Sequence, residues 1–306
     1  MFGDVRNFIP PSGLRIFATF LIFALACAPQ QSAAQKSRDS EQISYIFKRG
    51  DTLFDLATKY LRKRSDYLAV QRINRIANPR QIPMGKSLLI PVYLLKYRPS
   101  EASLSAFRGD VSIAAGGQNL TPVQGLDLEE GSRITTAARS FLTLQLEDGS
   151  RVSIPSNSNV RITRLRHILL TDSVDYEIAV DKGRLRSKVA PLQKKADRYR
   201  VRTPVAVSAV RGTDYRTRVD EISGTAFSET VEGEVVVAAG ESLNSGNLVA
   251  IPAGTGAAAT ATGALAKAEL LPPPELLDPA KVQSDAALQF AVQPRASAIG
   301  HRIMIA

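Results

Sequence analysis

Few side chains in this chain are equipped for covalent chemistry. Two histidines, His167 and His301, and one cysteine, Cys27, are its whole stock of imidazole and thiol. Nucleophilic catalysis needs a Ser, Thr or Cys beside a base that a third group orients. His167 instead sits in the basic run Arg164-Leu165-Arg166-His167, and His301 lies near the end of the chain. Two histidines and one cysteine leave no zinc set. The acid pairs Glu129-Glu130 and Glu147-Asp148 have the residue types of a glycosidase pair, but they fall in expected turns, where solvated carboxylates are ordinary. No Gly-rich loop that could cradle phosphate precedes a helix. The residue types point to a non-enzymatic protein with no catalytic site, metal or cofactor.

The elements that position the polar residues come in two styles. From Ser44 to Pro91 the chain reads β-α-α-β. Tyr45, Ile46 and Phe47 form a short strand, and Arg49-Gly50 turns it. Thr52 to Asp55 has the pattern of a capping box. Leu53, Leu56, Ala57 and Tyr60 then make an apolar helical stripe. A second helix begins near Ser65 or Asp66, carries Tyr67, Val70, Ile73, Asn74 and Ala77 on one side, and stops at Asn78-Pro79. Pro83-Met84-Gly85 turns into the strand Ser87 to Ile90.

From Leu104 the period changes to two. Leu142, Leu144 and Leu146 alternate with polar residues, Asp148-Gly149 signals a hairpin, and Val152 and Ile154 return. Val205, Val207 and Ala209 repeat the pattern before Arg211-Gly212-Thr213 interrupts it. Such spacing predicts an all-β domain over 104–254, either a sandwich or a solenoid-like coil. The segment 184–202 holds eight Lys or Arg against one Asp. It reads as a solvated loop between strands; no interleaved aromatics support nucleic-acid stacking.

The ends add compartment and linkers. The apolar run Ile16 to Ala28 follows Arg6 and Arg15 and is too short for a comfortable membrane span. It reads as a signal peptide, residues 1–34, cleaved after Ala34. Two alternatives stay open: lipidation at Cys27, since Ala24 to Cys27 loosely resembles a lipoprotein box, or an uncleaved anchor. Only in those two cases would a membrane be a partner. A net charge of +10 suits an anionic envelope surface. Residues 35–43 read as a tether and 93–103 as a connector. Residues 255–286, rich in Ala, Thr and Pro, read as a linker. Residues 287–306 read as the first hairpin of an immunoglobulin- or fibronectin-like module, as in a truncated relative of a longer protein.

Tyr45, Gly50-Asp51-Thr52-Leu53, Leu56-Ala57, Tyr60, Asn74, Asn78-Pro79, Ile82, Pro83, Gly85, Leu88, Ile90 and Pro91 stand at the spacing of a known module. Residues 44–92 resemble a LysM domain, with the basic insert Arg62-Lys63-Arg64 as a departure. The resemblance implies binding of peptidoglycan or a related N-acetylglucosamine polymer in a shallow groove. Carried over by position, Gly50, Asp51, Thr52 and Leu53 form one side and Asn78, Pro79, Arg80, Gln81 and Ile82 the other. A purely structural role as helix cap and core stands open for Thr52 and Leu53.

Residues 104–254 resemble the FecR-type domain, through Gly109-Asp110-Val111, the segment Leu128 to Thr136, Gly183-Arg184-Leu185, Arg202 to Ala206, Val210 to Tyr215, Val231 to Val235 and Ile251 to Gly254. That resemblance implies a periplasmic β module for protein–protein signalling. The expected protein is therefore multidomain: a LysM module holds the wall and a FecR-type domain meets an envelope partner. The alternatives are an accessory factor for a wall hydrolase and a lipid-anchored signalling receptor.

Overall fold

Thr52 opens the first helix as its sequence predicts. Its Oγ1 accepts the Asp55 backbone N–H at 3.0 Å and donates to Asp55 Oδ2 at 2.6 Å. In this computed structural model, which describes residues 41–240, 242–243, 247–279, 289–294 and 298, helix α1 spans Leu53–Tyr60 and α2 spans Tyr67–Ile73. They lie between the antiparallel strands β1, Gln42–Ile46, and β2, Ser87–Pro91. The leader with Cys27, the cleavage site, residues 35–40 of the tether and most of the expected terminal hairpin lie outside the described residues. No helix among the described residues is long and apolar enough to cross a membrane.

Helix α2 ends five residues before the Asn78-Pro79 stop that the sequence suggests. Arg75 adopts φ +50°, the left-handed conformation that L side chains resist. The Ile76 N–H then reaches Gln71 O at 3.0 Å and the Arg75 N–H reaches Arg72 O at 3.1 Å, a Schellman closure. Ile76 turns into the core behind it. Glycine is the usual residue at this corner, so the residue type concealed the stop. Arg75→Gly is expected to raise stability by about 0.5–1 kcal/mol, read as a higher urea midpoint. Asn74 joins the helix to β2, donating to Leu89 O at 2.8 Å and accepting the Leu89 N–H at 2.7 Å.

The remainder is β, and its pairings settle the choice between sandwich and coil. They fall into two sheets through which the chain passes repeatedly, usually two strands at a time. The first sheet includes Val111–Ala115, Arg133–Thr136, Ser158–Ile168, Arg198–Arg202, Ala206–Val210, Glu234–Ala239 and Leu248–Pro252. The second includes Ala102–Arg108, Phe141–Leu146, Arg151–Ile154, Asp214–Val219, Ala226–Glu232, Thr255–Ala259 and Leu265–Glu269. The long strand Ser173–Lys188 belongs to both. Up to Lys182 it pairs with Ser158–Ile168; from Gly183 it pairs with Asp214–Val219. Coil-like winding thus builds two sheets around one apolar core.

Three tyrosines fill the middle of that core, Tyr176, Tyr199 and Tyr215, each fully buried. A buried phenol needs a partner, and serines supply it. Tyr199 donates to Ser187 at 2.8 Å and Tyr215 to Ser208 at 2.6 Å.

Several expected boundaries shift. Thr255–Ala259 and Leu265–Glu269, expected as linker, are paired strands of the second sheet, and Ala257 and Ala259 belong to its core. In the expected connector, Tyr97–Pro99 pairs with Ser158–Ile168 and Ala102 begins a strand. The supposed loop 184–202 is loop only between two strands, since Gly183 to Lys188 and Arg198–Arg202 are both paired. Past the sheets, Leu276 bridges Val292. This joins the expected linker to the expected first terminal strand; that strand's predicted partner lies outside the described residues. The N-terminal module is continuous with the β domain, because Ile168 lies in the same core cluster as Leu53, Leu61 and Ile90.

Candidate functional site

The turn after β1 is held from within. Asp51 Oδ2 accepts from Tyr45 Oη and from the Lys48 backbone N–H, both at 2.8 Å. Burial and this bond to Asp51 push the Tyr45 phenol up to about 12. Gly50 sits at φ +86° with open space where a Cβ would be. Thr52 is exposed but engaged in the helix cap. Leu53 is buried in the core, so it can offer a ligand only its backbone.

Across the module, Asn78 Oδ1 accepts the Arg80 N–H at 3.0 Å and Asn78 O accepts the Gln81 N–H at 3.1 Å. Arg80 and Gln81 are exposed, Pro79 is half-buried, and Ile82 packs against the core that contains Leu53. The two segments are thus anchored to one core through Leu53 and Ile82. No described hydrogen bond joins them directly. The arrangement offers backbone amides, an amide side chain and a guanidinium, which suits hydrogen bonding to a neutral polar ligand. The Asp51 carboxylate and the Thr52 hydroxyl there are engaged in holding the turn and the helix cap. Among the described residues no group of three or more His, Cys, Asp or Glu is placed to hold a metal ion.

Two family models match the chain: "LysM domain" over residues 45–91 and "FecR protein" over residues 132–236. The chain carries a LysM domain followed by a FecR domain. Two crystal structures of a "putative anti-sigma factor" from Parabacteroides distasonis align with it at 16% and 17% identity, each with a TM-score of 0.36. The alignments cover 45% of this chain and 59% of those chains, and a likeness this loose decides neither fold nor partner. No curated protein matches the chain. LysM and FecR domains are binding and signalling modules.

Where the LysM domain meets the FecR-type sheet, the structure brings together charges that sequence reading missed. Glu41, immediately before β1, accepts from Arg164 Nη1 at 2.7 Å and also from Arg200 Nη1. Arg200 Nη2 donates to the fully buried Asp175 at 2.5 Å, and Arg202 Nη2 to Glu177 at 3.2 Å. Burial alone would raise the Glu41 carboxyl; Arg200 and Arg164 outweigh it and hold it below its ordinary value. The same opposition, with Arg200 and Arg202 prevailing over burial, takes Glu177 down to about 2. The signal was present in the sequence. Asp175 and Glu177 alternate along one strand, and Arg198, Arg200 and Arg202 alternate along another. Parallel register sets Asp175 beside Arg198 and Glu177 beside Arg200. Only the pairing reveals that the two rows meet.

The turn Arg211-Gly212-Thr213 is a corner where the chain leaves the first sheet for the second. Gly212 has φ +68°, and a Cβ there would lie 3.1 Å from Pro191 Cα. Arg211 does not brace its own turn; its Nη2 donates to Leu192 O and Lys194 O, pinning the neighbouring loop.

Proposed function

We propose that this is an exported, non-enzymatic envelope protein. Its LysM domain holds peptidoglycan through Gly50 to Leu53 and Asn78 to Ile82, and its FecR domain presents strands to an envelope protein. The single observation that carries this reading is the shared anchoring of both LysM segments on one core, which leaves their polar groups outward. The leader composition, with Ile16 to Ala28 as its apolar centre, supports export. Between Tyr45 and Pro91 there are ten Lys or Arg against three Asp, a balance that adds general attraction to a wall bearing anionic groups.

Because the LysM core continues into the β domain, glycan bound to LysM would fix the orientation of the FecR domain on the wall. The test is co-sedimentation of the full chain with purified peptidoglycan. The parent chain is expected in the pellet. Gln81→Ala removes an exposed amide, so it should weaken binding about fivefold and leave the urea midpoint unchanged. A parent chain that stays in solution, or a Gln81→Ala chain that sediments like the parent, refutes this assignment of the groove. Crosslinking in the envelope would identify the protein partner.

A further inference from the structure

A cavity of about 620 Å³ opens where Glu41 and Gln42 meet the outer face of the first sheet. Its wall is divided by chemistry. Arg198 and Arg200 line one part, and Val207, Ala209, Val236 and Leu243 line another. Three of the guanidiniums gathered here have hydrogen-bonded carboxylates: Arg164 has Glu41, Arg200 has Asp175, and Arg202 has Glu177. Arg198 has none. Its Nε stands 3.5 Å from Asp175 Oδ1 and its Nη1 3.9 Å from Glu41 Oε2. Both of those oxygens belong to acids that bond Arg200 or Arg164, and Asp175 Oδ2 is buried without a hydrogen bond of its own. Its Nε and Nη2 are buried without any hydrogen-bond acceptor.

Buried donors are nearly always satisfied, and a buried cation without a bonded counter-charge is costly. Burial lowers the Arg198 pKa; Asp175 and Glu41 oppose it without prevailing, and Arg200 and Arg164 add to it. The other acids on the wall do not answer it. Asp197 accepts the Val174 N–H at 3.1 Å and the Lys194 N–H at 2.7 Å, and Glu234 is exposed. The Arg198 side chain is 19% exposed and lines the cavity, and Nη1 is not among its buried nitrogens, so a ligand can reach it there.

We propose that this cavity binds a carboxylate carried on a short aliphatic group, as at the C-terminus of a peptide, with Arg198 as its charged anchor. A carboxylate oxygen can accept a charge-assisted hydrogen bond from the accessible Nη1. The four apolar residues accept the aliphatic part, and the volume lies in the range of small-ligand sites. Asp197 and Glu234 on the wall disfavour a multiply charged anion such as phosphate. The site uses no residue of the LysM groove, so it stands or falls apart from glycan binding.

The test is calorimetry and thermal unfolding of the full chain with N-acetyl-alanyl-alanine, its C-terminal amide, and sodium sulfate. The acid is expected to bind saturably and raise the unfolding midpoint, and the amide to bind at least about tenfold more weakly. Arg198→Leu should abolish the preference for the acid. Without ligand its midpoint should match or exceed the parent's, since a poorly compensated buried cation has been removed. Ala209→Phe, which fills the apolar part and keeps Arg198, should also lose binding and decides the matter if Arg198→Leu fails to fold. Absence of acid binding, equal binding of acid and amide, an equal response to sulfate, or unchanged acid binding by the folded variants would each overturn the proposal.

Discussion

Gly183→Ala is expected to lower folding stability by about 4 kcal/mol, while Gly149→Ala costs about 1 kcal/mol. Both glycines have positive φ, +82° and +87°. They differ in what surrounds them. A Cβ on Gly183 would lie 2.3 Å from Asn157 O and 2.6 Å from Ser158 Cα, both backbone atoms that cannot rotate away. A Cβ on Gly149 would meet nothing within 4 Å. Gly183 also marks the point where the strand Ser173–Lys188 leaves one sheet for the other. Before it the even residues Tyr176, Ile178 and Val180 face the core, and after it the odd residues Leu185 and Ser187 are buried. Next to it Ser158 Oγ accepts the Arg184 N–H at 2.9 Å. An added methyl must push apart the strand pair on which both sheets depend. Urea midpoints of the two variants check the difference, and equal losses would overturn the close approach at Gly183 as the cause.

The second large effect is at Glu41. Glu41→Ala leaves Arg164 without its hydrogen-bonded carboxylate and Arg200 with Asp175 as its remaining one. Removing one member of a buried ionic network costs about 3–5 kcal/mol. The control is Glu221→Ala, which breaks the Lys182–Glu221 pair at 2.7 Å with both side chains half exposed and should cost under about 1 kcal/mol.

The same network gives acid sensitivity of a stated sign. Glu177 titrates at about 2 in the folded chain against an ordinary value of 4.5. A folded value below the unfolded one means stabilisation that is complete above pH 4.5 and is lost as the pH falls through about 2. The loss amounts to about 3 kcal/mol for this group, and Glu41 adds to it in the same direction. Urea midpoints measured from pH 6 down to pH 2 should fall most steeply below pH 4.5. A flat profile for the parent, or one unchanged by Glu177→Gln, would falsify the assignment.

How far the residues could be read depended on how local each cause is. The cap at Thr52, the β-α-α-β order, the hairpin at Asp148-Gly149 and the alternation of Leu142, Leu144 and Leu146 depend on neighbours a few positions away, so the sequence by itself determined them. Both family resemblances rest on such turns and caps. Even so, the α2 stop was misplaced, because Arg75 holds a conformation usually given to glycine. The strands Thr255–Ala259 and Leu265–Glu269 looked like linker because alanine carries little strand preference. They are strands because Ala226–Glu232 offers an edge for pairing.

The polar residues divide in the same way. The candidate groove was legible because Gly50 to Leu53 and Asn78 to Ile82 each form a local turn. The fate of Leu53, buried in the core, needed the packed structure. The junction charges were read as a solvated basic segment because charge density along a chain says nothing about which strand lies beside it. Glu41 and Arg200 are separated by 159 positions, and Asp175 and Arg200 by 25. Only tertiary pairing could place them within hydrogen-bond reach. It also left Arg198 without a bonded acid at the edge of a cavity, because sheet register fixes which residues face each other.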